Sequence, residues 1–373
     1  MKKFLKYIFI SIIIVTFSLF IFTITNKYRI NILKEGIDCK ILAKGLKDAK
    51  AETIDESGNK YIAYKTYIKV INEKGQEKIL YKDENLNIED IEYKEGNLYL
   101  ISKDLLEKLS LKNNNVEILL KDNKLYITIP AKTNSGMEDG VMEDLAYYDR
   151  ICNGTIYEFD ILSNKASLYA TGIRGVTGID YNNEGKIIGI FTGMKNEGER
   201  PIENDRDYLY IVEKGQWYGF PDFSGGDYIS SPRFNVEKLM EEIPQNFVLA
   251  PMYQYKNVDS LKELAIDREG TVLNTNSIIF CDKNTNIIKV LDKEGFTYNI
   301  LKISRNNNIE DILYSKKEIL LLDSSIGCLY SIHKKEGILG FTLPWGIKIL
   351  ILGFCFSLLM MIIYKITTSK KGK

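Results

Sequence analysis

Histidine is nearly absent from this chain of 373 residues: the single one, His333, stands beside Lys334 and Lys335 near the last apolar run, where a surface residue is expected. A surplus of either charge is also missing, since 50 Lys and Arg residues face 50 Asp and Glu residues. With no Lys/Arg stripe interleaved with aromatics, no nucleic-acid footprint is visible and no such partner is expected. Four cysteines, Cys39, Cys152, Cys281 and Cys328, are scattered without a Cys-x-x-Cys pair, and Cys355 falls in the last apolar run. That pattern excludes an ordinary zinc site and speaks against a disulfide framework. The acidic loops Glu203–Asp207 and Asp222–Asp227 lack the spacing of a dedicated calcium loop. No metal ligands are therefore nominated.

What the chain does have is 45% apolar residues, two long apolar runs and a middle rich in turn signals. The first run, Phe4 to Ile24, follows Met1-Lys2-Lys3 and is long enough as a helix to cross roughly 30 Å of hydrocarbon. It exceeds a signal-peptide core and no small-x-small cleavage site follows, so residues 1–26 are expected to be an uncleaved signal anchor. The second run, Ile347 to Tyr364, follows Pro344-Trp345-Gly346 and precedes Lys365, Lys370, Lys371 and Lys373. Proline suits a helix's first turn and tryptophan the membrane interface, so 343–365 is expected to span the membrane and 366–373 to form a cytoplasmic tail. Lysines at the two extreme ends place both termini in the cytoplasm of a cell-membrane protein and the middle, 36–336, outside.

The middle repeats itself. Asn87-Ile88-Glu89-Asp90-Ile91 returns as Asn308-Ile309-Glu310-Asp311-Ile312, and an apolar-acidic pair followed by a glycine turn recurs at Ile54-Asp55, Ile91-Glu92, Ile179-Asp180 and Ile266-Asp267. Each unit reads as strand, tight turn, strand. Units beginning near Ala49, Ile88, Asn123, Val176, Leu261 and Ile309, about 40–50 residues apart, predict an all-β, six-bladed β-propeller. A polar insertion at Thr133 to Asp149 and a short surface helix over Val236 to Ile243 are expected to interrupt the rhythm. The fragment Lys40 to Leu46 has the shape of Ser167 to Ile173, an outer strand leading into the next blade. No earlier blade exists for it, so the N-terminal strand is expected to close the last blade beside Cys328 to Ile332.

The densest glycine and turn chemistry lies between Tyr169 and Asp227. There Gly172-Ile173-Arg174-Gly175-Val176-Thr177-Gly178 is followed by Asp207-Tyr208-Leu209-Tyr210 and Gly215-Gln216-Trp217-Tyr218-Gly219-Phe220-Pro221. Gly172 and Gly175 are hinge points where the chain can take positive φ, and Tyr208 to Val212 and Trp217 to Phe220 are expected to be strands of one blade. This stretch resembles the glucose/sorbosone dehydrogenase family of soluble quinoprotein sugar dehydrogenases, which carry Gly-x-Arg-Asn-x-x-Gly, then Asp-Glu-x-Asn, then Gly-x-Asn-Tyr-Gly-Trp-Pro. Gly172, Arg174, Gly178, Asp207, Gly215, Tyr218, Gly219 and Pro221 fall on the pattern. Gly175 replaces its first Asn, Tyr208 its Glu, Tyr210 its next Asn, Trp217 another Asn and Phe220 its Trp.

The resemblance implies a site facing pyrroloquinoline quinone, with calcium held nearby through main-chain carbonyls. It nominates Arg174, which in the family faces the quinone and whose fork suits carboxylates, together with Gly175, Asp207, Trp217 and Tyr218. Each has a plainer alternative: an inter-blade bridge or backbone cap for Arg174, a turn cap for Asp207, blade packing for Trp217 and a blade corner for Tyr218. The histidine base of the family has no counterpart here. The expected function is therefore a ligand-binding or sensing module for a carbohydrate, cell-wall or protein ligand, with no catalytic residue assigned. A quinone-dependent sugar dehydrogenase using another base, and a structural partner in a membrane complex, remain alternatives.

Overall fold

A computed structural model of the chain describes residues 30–102, 116–138, 141–142, 153–244, 248–303, 308–315 and 318–335, with positions 16 and 28. Among the described residues no helix is long and apolar enough to cross a membrane. The spans expected within 1–26 and 343–365, and the tail 366–373, lie outside the described residues apart from position 16.

Residues Ile30–Lys334 form one compact unit, an all-β propeller. The sheet begun by Ala51–Ile54 continues through Lys60–Tyr64, Tyr67–Ile71 and Glu77–Lys82. Among the described residues Ile88–Lys94 pairs with Asn97–Ser102, and residues 103–115, which follow, lie outside the described residues. Ile118–Lys121, Lys124–Ile129, Thr155–Asp160 and Lys165–Thr171 form the next sheet; Val176–Tyr181, Ile187–Phe191, Tyr208–Val212 and Tyr253–Gln254 form the one after. Leu261–Asp267 opens a five-stranded sheet whose outermost member is Ile30–Ile32, and Ile309–Ser315 opens the last. The innermost strands of these sheets touch one another in succession and the last touches the first, which closes the ring. Five sheets thus have four or five strands, and the second position carries two described strands in place of the expected four.

Closure follows the N-terminal strand. Ile37–Lys44 lies antiparallel on Cys328–Lys334, with Lys40 opposite Ser331 and Ile41 opposite Tyr330. Leu46, fully buried, then packs with Ile62 of the first sheet and Leu320, Leu322 and Leu329 of the last. Inside the ring, strands must be apolar on both faces, because alternate side chains enter two different inter-sheet interfaces. Ile187 and Phe191 pack toward the preceding sheet with its Ile156 and Ala170. Ile188 and Ile190, one residue out of phase, pack toward the following sheet with Leu264 and Phe280.

Several expectations need correction. The third sheet begins at Ile118, and Asn123 lies in its first hairpin turn, because the strand before that turn carries no glycine to mark it. Trp217 to Phe220 is not a strand of its blade: Gly172 carries the chain at φ +69, and Tyr218 and Phe220 donate their N–H groups to the carbonyls of Thr171 and Gly172 on the preceding sheet. A Cβ at Gly172 would overlap the Trp217 indole. Tyr253–Gln254 takes the fourth place instead. Gly175 does not take positive φ; it is small because a Cβ would meet Thr192 Oγ1 at 2.9 Å. Val236 to Ile243 is not helical, since the N–H groups of Leu239 and Met240 turn to the Asp222 carboxylate at 2.8 and 2.6 Å instead of forming a helical turn.

Leu46→Ala is expected to cost about 2–5 kcal/mol of stability. Hydrogen exchange should accelerate in both the first and last sheets, since one side chain serves both. Acceleration confined to one of them would contradict the closure.

Candidate functional site

The residues nominated by sequence are engaged with the chain itself. Arg174 lies in the link between the third and fourth sheets, where its Nη1 donates to the Ala131 carbonyl and its Nε to Asn134 Oδ1 at 3.3 Å. Burial lowers its pKa from the ordinary arginine value. Asn134 in turn donates to the carbonyls of Lys195 and Arg200 at 2.6 and 2.7 Å, tying two long loops together. Asp207, fully buried, accepts the N–H groups of Asp259, Ser260 and Leu261 at 2.9, 2.6 and 2.8 Å. It thereby fixes the entry of the fifth inner strand. Trp217 packs edge-on against Phe223, and Tyr218 donates to the Ile211 carbonyl at 2.7 Å while accepting the Glu213 N–H. The acidic loops are likewise spent internally: Asp205 accepts from Met194 N–H, Tyr208 and Ser224, and Asp222 pairs with Arg200 at 3.0 Å.

Arg174 and Tyr218 border a cavity of only about 20 Å³, while a second cavity of about 490 Å³ runs along the ring axis. Every innermost strand, or the residue just before it, brings at least one carboxylate to that axial wall. Three of these carboxylates hold the ring together. Asp90 accepts the Ile118 N–H at 2.9 Å, Asp180 the Ile266 N–H at 2.8 Å and Asp311 the Glu52 N–H at 2.7 Å, each from the next sheet. Pairing shifts register around Glu89 and Glu310, and again around Glu263, whose φ of +52 is unusual for a side-chain-bearing residue. Such bulges re-aim side chains, and here all three glutamates line the axial cavity. Gly178 serves this crowding, since a Cβ there would meet Leu264 N at 2.6 Å.

The cations on the wall are Lys50, Lys262 and Arg268. Arg268 pairs with Asp180; Lys262 reaches Glu310 at 3.2 Å and Glu263 at 3.5 Å, and Lys50 reaches Glu310 at 3.8 Å. Among the described residues no cation lies within ion-pair distance of Glu52, Glu92 or Glu117. Burial, reinforced by the Asp311 charge, pushes Glu92 up to about 8. Burial lifts Glu117 to about 7 despite Lys262, and Asp311 to about 7 despite two backbone N–H donors. For Lys262 burial opposes the charge, yet Glu263, Glu310 and Glu117 hold its ammonium above the ordinary lysine value.

These acids were not singled out by sequence reasoning. For Glu89, Asp90, Glu310 and Asp311 a signal is present in the repeated Asn-Ile-Glu-Asp-Ile units; Glu52, Glu117 and Glu263 lie outside them. His333, half-buried opposite Asp38 on the outer pair of the last sheet, does not line the channel.

The quinone implied by the resemblance is a tricarboxylate and needs cations or spare donors. Arg174 is committed to Ala131 and Asn134, its cavity has room for about one water, and the axial wall is acidic. The residues present do not fit that group. Among the described residues no three Asp, Glu, His or Cys side chains come together as they would around a metal ion.

Stability should depend on pH in a direction set by the raised carboxylates. The folded chain keeps protons on Glu92, Glu117 and Asp311 that the unfolded chain releases, with values rising from 4.5 or 3.8 to about 7–8. Their contribution is complete below about pH 4 and is lost as pH rises through 7–8. The melting temperature is expected to fall by several degrees between pH 5 and pH 8.5, and Glu117→Gln to flatten that slope and raise the value at pH 8. A profile that rises over the same interval would contradict the channel electrostatics.

No protein-family sequence model matches this chain, and no curated protein matches it by sequence. Solved structures do match in fold. The holo PQQ domain of pyranose dehydrogenase from Coprinopsis cinerea aligns with a TM-score of 0.61 at 12% identity, over 83% of this chain and 98% of that one. The calcium structure of a Trichoderma reesei carbohydrate-active enzyme of family AA12 gives 0.61 at 13%, over 83% and 100%. The apo soluble aldose sugar dehydrogenase from Escherichia coli gives 0.55 at 12%, over 80% and 100%. At these identities the likeness is one of fold: the chain shares the propeller architecture of these solved structures.

Proposed function

We propose that this protein is a membrane-anchored ligand-binding propeller that has kept a sugar-dehydrogenase scaffold without its quinone chemistry, and that its ligand enters the axial channel. In this reading two spans hold a six-bladed ring outside the cell, with both termini in the cytoplasm. The observation that carries it is the contrast between the two cavities. Arg174, the residue on the family's cofactor position, is consumed by Ala131 and Asn134, whereas the axial cavity of about 490 Å³ carries carboxylates with no cation beside them. Cavities of that volume suit small ligands.

The fold likeness to sugar dehydrogenases, some described with PQQ, favours a second reading in which the chain oxidises sugars. The two are separated by one assay on the full chain in detergent, supplied with pyrroloquinoline quinone, calcium and aldoses beside an electron-accepting dye. No dye reduction is expected above the rate without protein. Arg174→Ala is expected to lower the melting temperature through loss of the Ala131 and Asn134 bonds. Quinone-dependent turnover abolished by Arg174→Ala would overturn the proposal.

A further inference from the structure

Glu52 is the outlier of the axial channel. It sits on the innermost strand of the first sheet, is 2% exposed, lines the cavity, and neither of its carboxylate oxygens has a hydrogen-bond partner. A buried carboxylate without a partner is costly in free energy unless it is protonated or a ligand completes it. Burial, the neighbouring Asp311 and, further off, Glu318 all raise its pKa, and Lys60 offsets this only in part. On the second and third sheets Glu92 and Glu117 likewise have no cation within ion-pair distance, whereas Asp90, Asp180 and Asp311 accept backbone N–H groups and Glu263 and Glu310 pair with Lys262 or Lys50.

The geometry of these acids selects among cations. They are distributed around the ring on different strands and do not converge on one point, so a single ion has no set of three ligands. A flexible molecule with several ammonium groups can meet separated carboxylates one by one, and its methylenes can lie against Ile118, Leu120 and Leu264, which also line the cavity. We propose that the axial channel binds an organic polycation of the linear polyamine type, with Glu52 and Glu117 receiving its ammonium groups. This rests on the channel being the ligand site.

The experiment is calorimetric titration of the full chain in detergent at pH 7.5 with spermidine, with calcium chloride and a neutral aldose as separate titrants. Repeating the spermidine titration in two buffers of different ionisation enthalpy counts the protons released. Spermidine is expected to bind with release of protons from the channel. Glu52→Gln and Glu117→Gln should each weaken it at least about tenfold, and Glu117→Gln should reduce the proton release. Both substitutions keep side-chain shape and remove a buried charge, so folding is retained, which the melting temperature verifies. Arg174→Ala should leave spermidine affinity unchanged.

Calcium binding without spermidine binding would overturn the organic assignment in favour of a metal ion. Spermidine binding indifferent to both glutamate variants would place the site elsewhere. Aldose binding alone, sensitive to Glu52→Gln, would overturn the cation class while leaving the channel as ligand site. Silence with all three titrants would overturn the polycation and remove the support for channel binding as well.

Discussion

The carboxylate that reaches from one inner strand to a backbone N–H of the next sheet is the interaction on which the ring depends. Innermost strands of neighbouring sheets are not joined by a backbone ladder, so their axial N–H groups need partners from elsewhere. Asp90, Asp180 and Asp311 supply them at every second junction, from the second sheet to the third, the fourth to the fifth and the sixth to the first. Intervening junctions use other groups: Thr53 Oγ1 accepts the Tyr93 N–H, and Lys262 donates to the Ile309 carbonyl. Apolar side chains between sheets provide the bulk of the stability. The acids decide the register at which the sheets meet.

That device has an electrostatic consequence. A propeller closed by carboxylates accumulates negative charge on its axis, where burial already disfavours it. Arg268 and Lys262 neutralise part of it, and Lys262 is flanked by Glu263 and Glu310 as a buried cation needs to be. Glu52, Glu92 and Glu117 have no cation within ion-pair distance and hold protons more readily than surface acids, which removes part of the rest. The same acidity makes the axis a poor host for an anionic quinone. The likeness to solved propellers is one of blade pattern, while the acidity of the axis comes from individual residues on the inner strands.

Much of the architecture was legible in the chain. Lys40 to Leu46 announced the closing strand because its shape copied an outer strand with no blade of its own. Trp217 to Phe220 misled because an apolar-aromatic run looks the same whether it pairs within its own sheet or lies against its neighbour, and the true fourth strand returns only after a long excursion. The plainer roles weighed for Arg174 and Asp207, a backbone cap and a turn cap, correspond to the bonds these side chains make. The acidic axis was hidden for a geometric reason. Along one strand, Glu89 or Glu310 is an ordinary polar position, and only ring closure turns residues far apart in sequence toward one cavity.

The central claim, that the closed ring carries carboxyl groups which stay protonated near neutrality, is tested most directly by infrared titration of the carboxylic-acid C=O band in the ligand-free full chain. The account predicts a band that survives to pH 7, fades between about pH 7 and 8 as Glu117, Asp311 and Glu92 ionise, and shrinks in Glu117→Gln. Disappearance of the whole band by about pH 5, the ordinary range for exposed carboxylates, would contradict it.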